Sequence, residues 1–140
     1  MAALPNMSST KPQLPAEPIG WPFLAVPDAD GLLHFPSLAQ SLRDQIEVIL
    51  RTSKGEQLMH PDFGSGVEAM LHEPNTLSTR ARLREKIEDG LKLWEQRIVV
   101  ERVDVDPAAN IREVRVGIAY RVARTGLAEA LVLQMPLGAA

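Results

Sequence analysis

Glu85, Glu88 and Asp89 crowd three carboxylates into one short stretch, and paired carboxylates are what glycoside hydrolysis needs, one as acid and one as nucleophile or base. A glycosidase, however, holds its pair across a cleft on separate elements, with one carboxyl in apolar surroundings that raise its pKa. Here the three alternate with Arg82, Arg84, Lys86 and Lys92, which is the pattern of a solvated helix face carrying local ion pairs. His34, His60 and His72 lie far apart, and none has a partner at the i, i+4 spacing of a zinc helix. The serines stand in no strained strand-to-helix turn with a histidine and carboxylate in recognisable order. Gly64-Ser65-Gly66 lacks the Gly-Lys-Ser ending of a phosphate loop and reads as a chain reversal beside Pro61 and Phe63. These residues call for no catalytic centre, no metal and no cofactor.

One charge stands out for its position. Arg97 falls between a helix ending near Trp94 and a strand beginning at Ile98, with Glu95 two residues before it. At such a junction an arginine can hold a carboxylate in a bidentate pair; equally, it can be an exposed cation favoured by the helix dipole. Sequence leaves both readings open.

The elements that must position these residues follow from periodicity. Residues 1–18 are rich in Ala, Pro, Ser, Thr and Gln and read as a flexible arm ahead of a single folded domain over 19–138. Gly20-Trp21-Pro22-Phe23, with Leu24 and Val26, opens that domain as a strap or small hairpin, turning at Asp28-Ala29-Asp30-Gly31 and returning through Leu32 to Phe35. Ser37 with Gln40 three residues on has the spacing of a capping box, and Leu38, Leu42, Ile46, Ile49 and Leu50 form the apolar face of the helix it starts. Gly55 supplies a stop for that helix. After an irregular stretch broken by Pro61, Gly64, Gly66 and Pro74, in which Val67 to Leu71 makes a helical turn or two, a second helix runs from about Leu77 to Trp94. Its buried stripe is Leu83, Ile87, Leu91 and Trp94, and Gly90 within it marks a place where another backbone comes close.

The last third alternates instead. Ile98 and Val100 have one parity and Val103 and Val105 the other, which predicts a strand bulged near Glu101-Arg102. Val114, Val116, Ile118, Tyr120 and Val122 make a second strand, and Leu131, Leu133, Met135 and Leu137 a third, joined by connections short enough for antiparallel neighbours. The expected fold is α+β, two helices packed on a three-stranded antiparallel meander.

Composition agrees with a small globular protein: 140 residues, 45% apolar and 24% charged, with 15 basic against 18 acidic side chains and no cysteine. The net charge of -3 argues against a general nucleic-acid surface. The lack of cysteine rules out disulfides and thiolate chemistry. No segment has the length of a membrane span, and the proline-rich start lacks the parts of a secretory signal, so synthesis in a cytoplasm and no membrane insertion are expected.

Gly55-Glu56-Gln57-Leu58-Met59-His60-Pro61-Asp62-Phe63-Gly64-Ser65 resembles the signature of the baseplate wedge family, which includes the phage W protein, the type VI secretion baseplate subunit and relatives in extracellular contractile injection particles. Gly20-Trp21 with Phe23, the helix Ile46 to Thr52 and the junction Trp94-Glu95-Gln96-Arg97-Ile98 agree in order, so the likeness spans about Gly20 to Leu137. The family's Glu-Pro-Arg junction has Gln96 here in place of proline, keeping the charged pair without the rigid link. The resemblance implies a structural part that joins the wedge core to the first sheath ring of a phage tail or injection particle. It implies as partners other wedge subunits, the sheath protein and tube or hub proteins, in a sixfold assembly. Strand addition to an open sheet edge fits that role, with Leu131, Leu133 and Met135 on one candidate edge and Arg115 and Arg121 as readers of acidic partner residues. Glu95 and Arg97 carry over as wedge contacts or as a brace of the junction; Gly55, Glu56, Pro61, Asp62, Phe63 and Gly64 carry over as structural signature. Members of the family have been called lysozyme-like, which keeps a cell-wall muramidase as the competing reading, with a free adaptor of the same fold as a third.

Overall fold

The computed structural model describes residues 27–138; the expected arm and the aromatic opening at Gly20 to Val26 lie outside them. The chain divides into two compact units between Ser41 and Leu42.

In the first unit, the predicted turn forms at Asp28 to Gly31. Gly31 N–H donates to the Asp28 carbonyl and Asp28 N–H to the Leu32 carbonyl. The Asp28 carboxylate accepts from the backbone of Asp30 and Leu32 and meets His34 Nε2 at 2.6 Å. The Leu32 amide and then His34 hold its pKa below the ordinary carboxylate value. Leu32 to Phe35 return as irregular, exposed chain. Ser37 is the helix cap, its Oγ accepting from Gln40 N–H at 3.2 Å.

Helix α1 spans Leu38–Arg51. In the second unit its Leu42, Ile46, Ile49 and Leu50 are all buried, the face that the 3.6-residue period marks. It ends at Arg51, four residues before the expected Gly55; both the N–H and the hydroxyl of Thr52 bond back to the Val48 carbonyl. Gly55 has φ +88° and instead closes the loop that follows. A 3-10 turn, Val67–Met70, buries Val67 and Met70.

Helix α2 spans Leu77–Trp94, capped by Thr76, whose hydroxyl accepts from Thr79 N–H. Leu83, Ile87 and Leu91 are fully buried. Gly90 lies against Ser65: a Cβ added there would stand 2.8 Å from the Ser65 Cβ and 2.9 Å from its Cα, the close approach that glycine permits.

Three strands complete the α+β fold: β1 Ile98–Pro107, β2 Glu113–Val122 and β3 Ala128–Pro136, antiparallel in the order β1-β2-β3. The bulge falls where parity predicts, between Val100 and Arg102. Because of it, Ile98 and Val100 before it and Val103 and Val105 after it all stand opposite the core-facing Val122, Tyr120, Ile118 and Val116. Without that extra residue one half of β1 would turn its valines outward.

Candidate functional site

At the junction, α2 ends because Glu95 leaves helical geometry, at φ -118° and ψ 83°. Its side chain is 3% exposed, a cost that only paired donors can offset. Arg97 provides them: its backbone N–H and Nε donate to Oε1 at 3.1 and 2.8 Å, and Nη2 donates to Oε2 at 2.7 Å. The Arg97 carbonyl in turn accepts from Ala123 N–H at 2.8 Å, just beyond β2. The hydrogen bond to Glu95 raises the Arg97 pKa, so the cation is permanent. The bidentate pair left open by sequence is therefore formed, and it fixes where β1 begins. Gln96, between the two, is exposed.

The signature segment is a loop with a buried base and an exposed tip. Phe63, Gly64 and Ser65 are buried. Phe63 lies 5.1 Å from Trp94, ring to ring at 59°. Gly64, at φ +114°, has no room for a Cβ against the Thr52 carbonyl oxygen. Five backbone bonds hold the loop: Gly55 N–H to Pro61 O, Glu56 N–H to Ser53 O, His60 N–H to Gln57 O, Phe63 N–H to His60 O and Ser65 N–H to Ile49 O. The Glu56 carboxylate accepts from Ser53 N–H at 3.0 Å. At the tip Leu58 and Met59 are 96% and 87% exposed. Periodicity had no means of finding this pair, since a two-residue apolar run fits neither a helix face nor a strand.

The two open edges of the sheet differ. Val122 N–H donates to Leu127 O, and Leu137 N–H to Arg112 O. In antiparallel register, bonding to β2 then falls on Glu129, Leu131, Leu133 and Met135. The backbone groups of Ala128, Ala130, Val132 and Gln134 face away from β2, and no described strand pairs with them. β3 runs without a bulge; Leu131 and Leu133 are half-buried on the core face, and Val132 is 61% exposed on the other. On β1 the edge is broken by the bulge, ends in Pro107 and has α2 packed against the strand.

Arg115 and Arg121 share the outer sheet face. Arg121 is engaged, Nε with Glu101 Oε1 at 3.0 Å and Nη1 with the Gly126 carbonyl at 2.9 Å. Arg115 is exposed, opposite Asp106 and Gln134 in register, with no ion pair among the described residues. Glu85 and Asp89 are exposed, and Glu88 meets Lys92 at 4.0 Å on the helix surface. Beneath the sheet, Tyr120 is fully buried and its hydroxyl finds no hydrogen-bond acceptor or donor of good geometry. Close by, Arg43 Nη2 and Glu129 Oε2 pair at 3.4 Å across 86 positions of sequence. Burial first, and then the charge of Glu129, raise the Tyr120 pKa, with Arg43 opposing.

The second unit thus carries a junction clamped by a buried Glu-Arg pair and a last strand that pairs on one side only among the described residues. The family model of the baseplate wedge protein gp25 matches residues 36–126, and the chain belongs to that family. It is a structural component of the baseplate of a phage tail or contractile injection particle. Among solved structures, the chain is similar to a putative tail lysozyme from Geobacter sulfurreducens, with 29% identity over 76% of this chain and 96% of that one and a TM-score of 0.70. A chain of the anti-feeding prophage baseplate, determined with sixfold symmetry applied, shares the fold at 17% identity and a TM-score of 0.60, covering 89% of this chain and 88% of that one. No curated protein sequence matches the chain.

Proposed function

We propose that this protein joins the wedge core of its baseplate to the first sheath ring, by accepting a strand from a sheath subunit on the outer edge of β3. The observation that carries the reading is the unbroken row of outward backbone groups at Ala128, Ala130, Val132 and Gln134, beside side chains that an added strand would cover. Main-chain bonds would provide affinity, and Leu131, Leu133 and Met135 would select apolar residues at alternate positions of the incoming strand. Arg115, the unengaged cation of the outer face, would meet acidic groups of the same partner. Glu95 and Arg97 brace the junction so that sheet and helix arrive at the partners as one body, while other wedge subunits and tube or hub proteins surround the module in six copies.

Hydrogen exchange on the purified chain, alone and with the sheath subunit of its own particle, tests this. Expected is new protection of the Ala130, Val132 and Gln134 amides with β1 unchanged. Binding without protection in β3 would refute strand addition there. The muramidase reading draws support from the Geobacter neighbour, a putative tail lysozyme; it requires two acidic groups facing a sugar-sized cleft, and a cell-wall turbidity assay decides it.

A further inference from the structure

The Leu58–Met59 tip is unusual on physical grounds. Two consecutive large apolar side chains stand almost fully in water on a loop tied by its own backbone bonds, so seating them in a pocket would gain apolar burial with little ordering cost. The same unit of the chain contains a matching cleft. Leu77, Ala81 and Val105 line an opening of about 180 Å³ between α2 and β1, with four charged residues around them: Arg80 and Asp104, engaged with Asn75 and Arg102, and Arg84 and Asp106. That volume lies below the roughly 300 Å³ at which small-molecule sites begin and suits a single side chain. Leu77, at 78% exposure, is a second apolar group left open at its mouth.

The charges around tip and cleft also correspond. Arg84 and Asp106 form no ion pair among the described residues; Asp62, next to Pro61 on the loop, forms none either, and His60 beside Met59 is exposed. The loop thus carries an anion, Asp62, and the cleft a cation, Arg84, neither of them in an ion pair among the described residues.

We propose that a second copy of this chain inserts its Leu58–Met59 tip into the cleft between α2 and β1. Tip and cleft are different surfaces, so the contact is head-to-tail, and repeated it makes a ring or a filament, not a closed dimer. One seated tip covers far less than the roughly 1,200 Å² of a stable interface. The contact is therefore weak between free chains and becomes effective where a particle holds the copies side by side, at effective concentrations on the order of millimolar. It is independent of strand addition at β3.

The absence of native cysteine makes the test clean. Chains carrying Met59→Cys and Ala81→Cys are mixed at on the order of millimolar concentration and treated with a short bis-maleimide. Expected is a mixed cross-linked dimer in clear excess over either like pair, and a ladder of higher species from the doubly substituted chain. Leu58→Asp should lower the mixed product about tenfold, since burying a leucine is worth at least that in affinity. Val132→Pro, which addresses the β3 edge, should leave it unchanged. Cross-linking equal to that with a Gln134→Cys control, or unaffected by Leu58→Asp, overturns the proposal.

Discussion

Glu95 is an almost fully buried carboxylate whose charge is answered, among the described residues, by Arg97, and the consequences of losing each partner are unequal. Arg97→Met leaves a buried anion with a single backbone donor and should cost about 2–3 kcal/mol, somewhat under the range for a fully buried pair because Arg97 is 41% exposed. Glu95→Gln keeps an acceptor for the same donors without the charge and should cost about 1 kcal/mol. Changing both, to Glu95→Leu with Arg97→Met, should recover much of the loss, because no charge is then buried. Urea midpoints of the four proteins check this ordering; full stability of Arg97→Met would mean that the pair serves contact with wedge subunits and does not brace the junction. Tyr120 makes the opposite case, a buried hydroxyl with no hydrogen bond of good geometry and only the Arg43 guanidinium beside it, so Tyr120→Phe should be neutral or stabilise by up to about 1 kcal/mol. Its raised pKa has a further consequence. The unfolded chain releases the phenolic proton first, near the ordinary value of about 10, so folded stability is whole below that pH and declines as pH climbs toward the raised value. Tyr120→Phe should remove that alkaline decline, and since the chain has one tyrosine, tyrosinate absorbance during the same titration reports this group alone.

Among the elements, β3 separates folding from binding by parity. The Val132 N–H points away from β2, whereas that of Leu133 bonds to it, and proline is tolerated in an edge strand only where its missing N–H faces outward. Val132→Pro should therefore keep the fold, with a circular dichroism spectrum and thermal midpoint close to the parent, while removing one bond of an incoming strand and weakening sheath binding tenfold or more. Leu133→Pro should unfold the sheet. Equal sheath affinity for Val132→Pro and the parent, measured by calorimetry, would exclude this edge. The same parity logic made the elements legible in the sequence. Alternation located all three strands and even the bulge, because a change of phase between Val100 and Val103 has one remedy in a sheet with a single buried face. The apolar stripe of α2 and the need for glycine at position 90 were legible too. What was not legible depends on approaches between distant residues. At the end of α1 the Ile49 carbonyl accepts from Ser65 N–H across the loop, and the Arg43–Glu129 pair likewise rests on the folded topology. The Glu95–Arg97 clamp was readable as a pair but not as a buried one, since burial of Glu95 comes from the packing around α2.

For the whole molecule, the open question of chemistry is one of placement. A muramidase would hold two carboxyls some 5–10 Å apart across a sugar-sized cleft, one with a raised pKa. Among the described residues, Glu85 and Asp89 face solvent on α2, Glu88 is engaged with Lys92, and the buried Glu95 is neutralised by Arg97. The cleft between α2 and β1 does contain Asp104 and Asp106, but at about 180 Å³ it is too small for a sugar ring with its neighbours, and both acids belong to the same strand. If the role is structural, as proposed, the purified protein should leave a suspension of bacterial cell walls as turbid as buffer alone across acidic and neutral pH. Particles assembled with Glu85→Gln and Glu88→Gln together should keep their sheath and contract normally, whereas those assembled with Val132→Pro should lose the sheath from the baseplate. The comparison uses one particle and three forms of one subunit, so an enzymatic role and an assembly role give opposite results: clearing that depends on Glu85 or Glu88 would place the function in α2, and loss of sheath on breaking the β3 edge places it in the sheet.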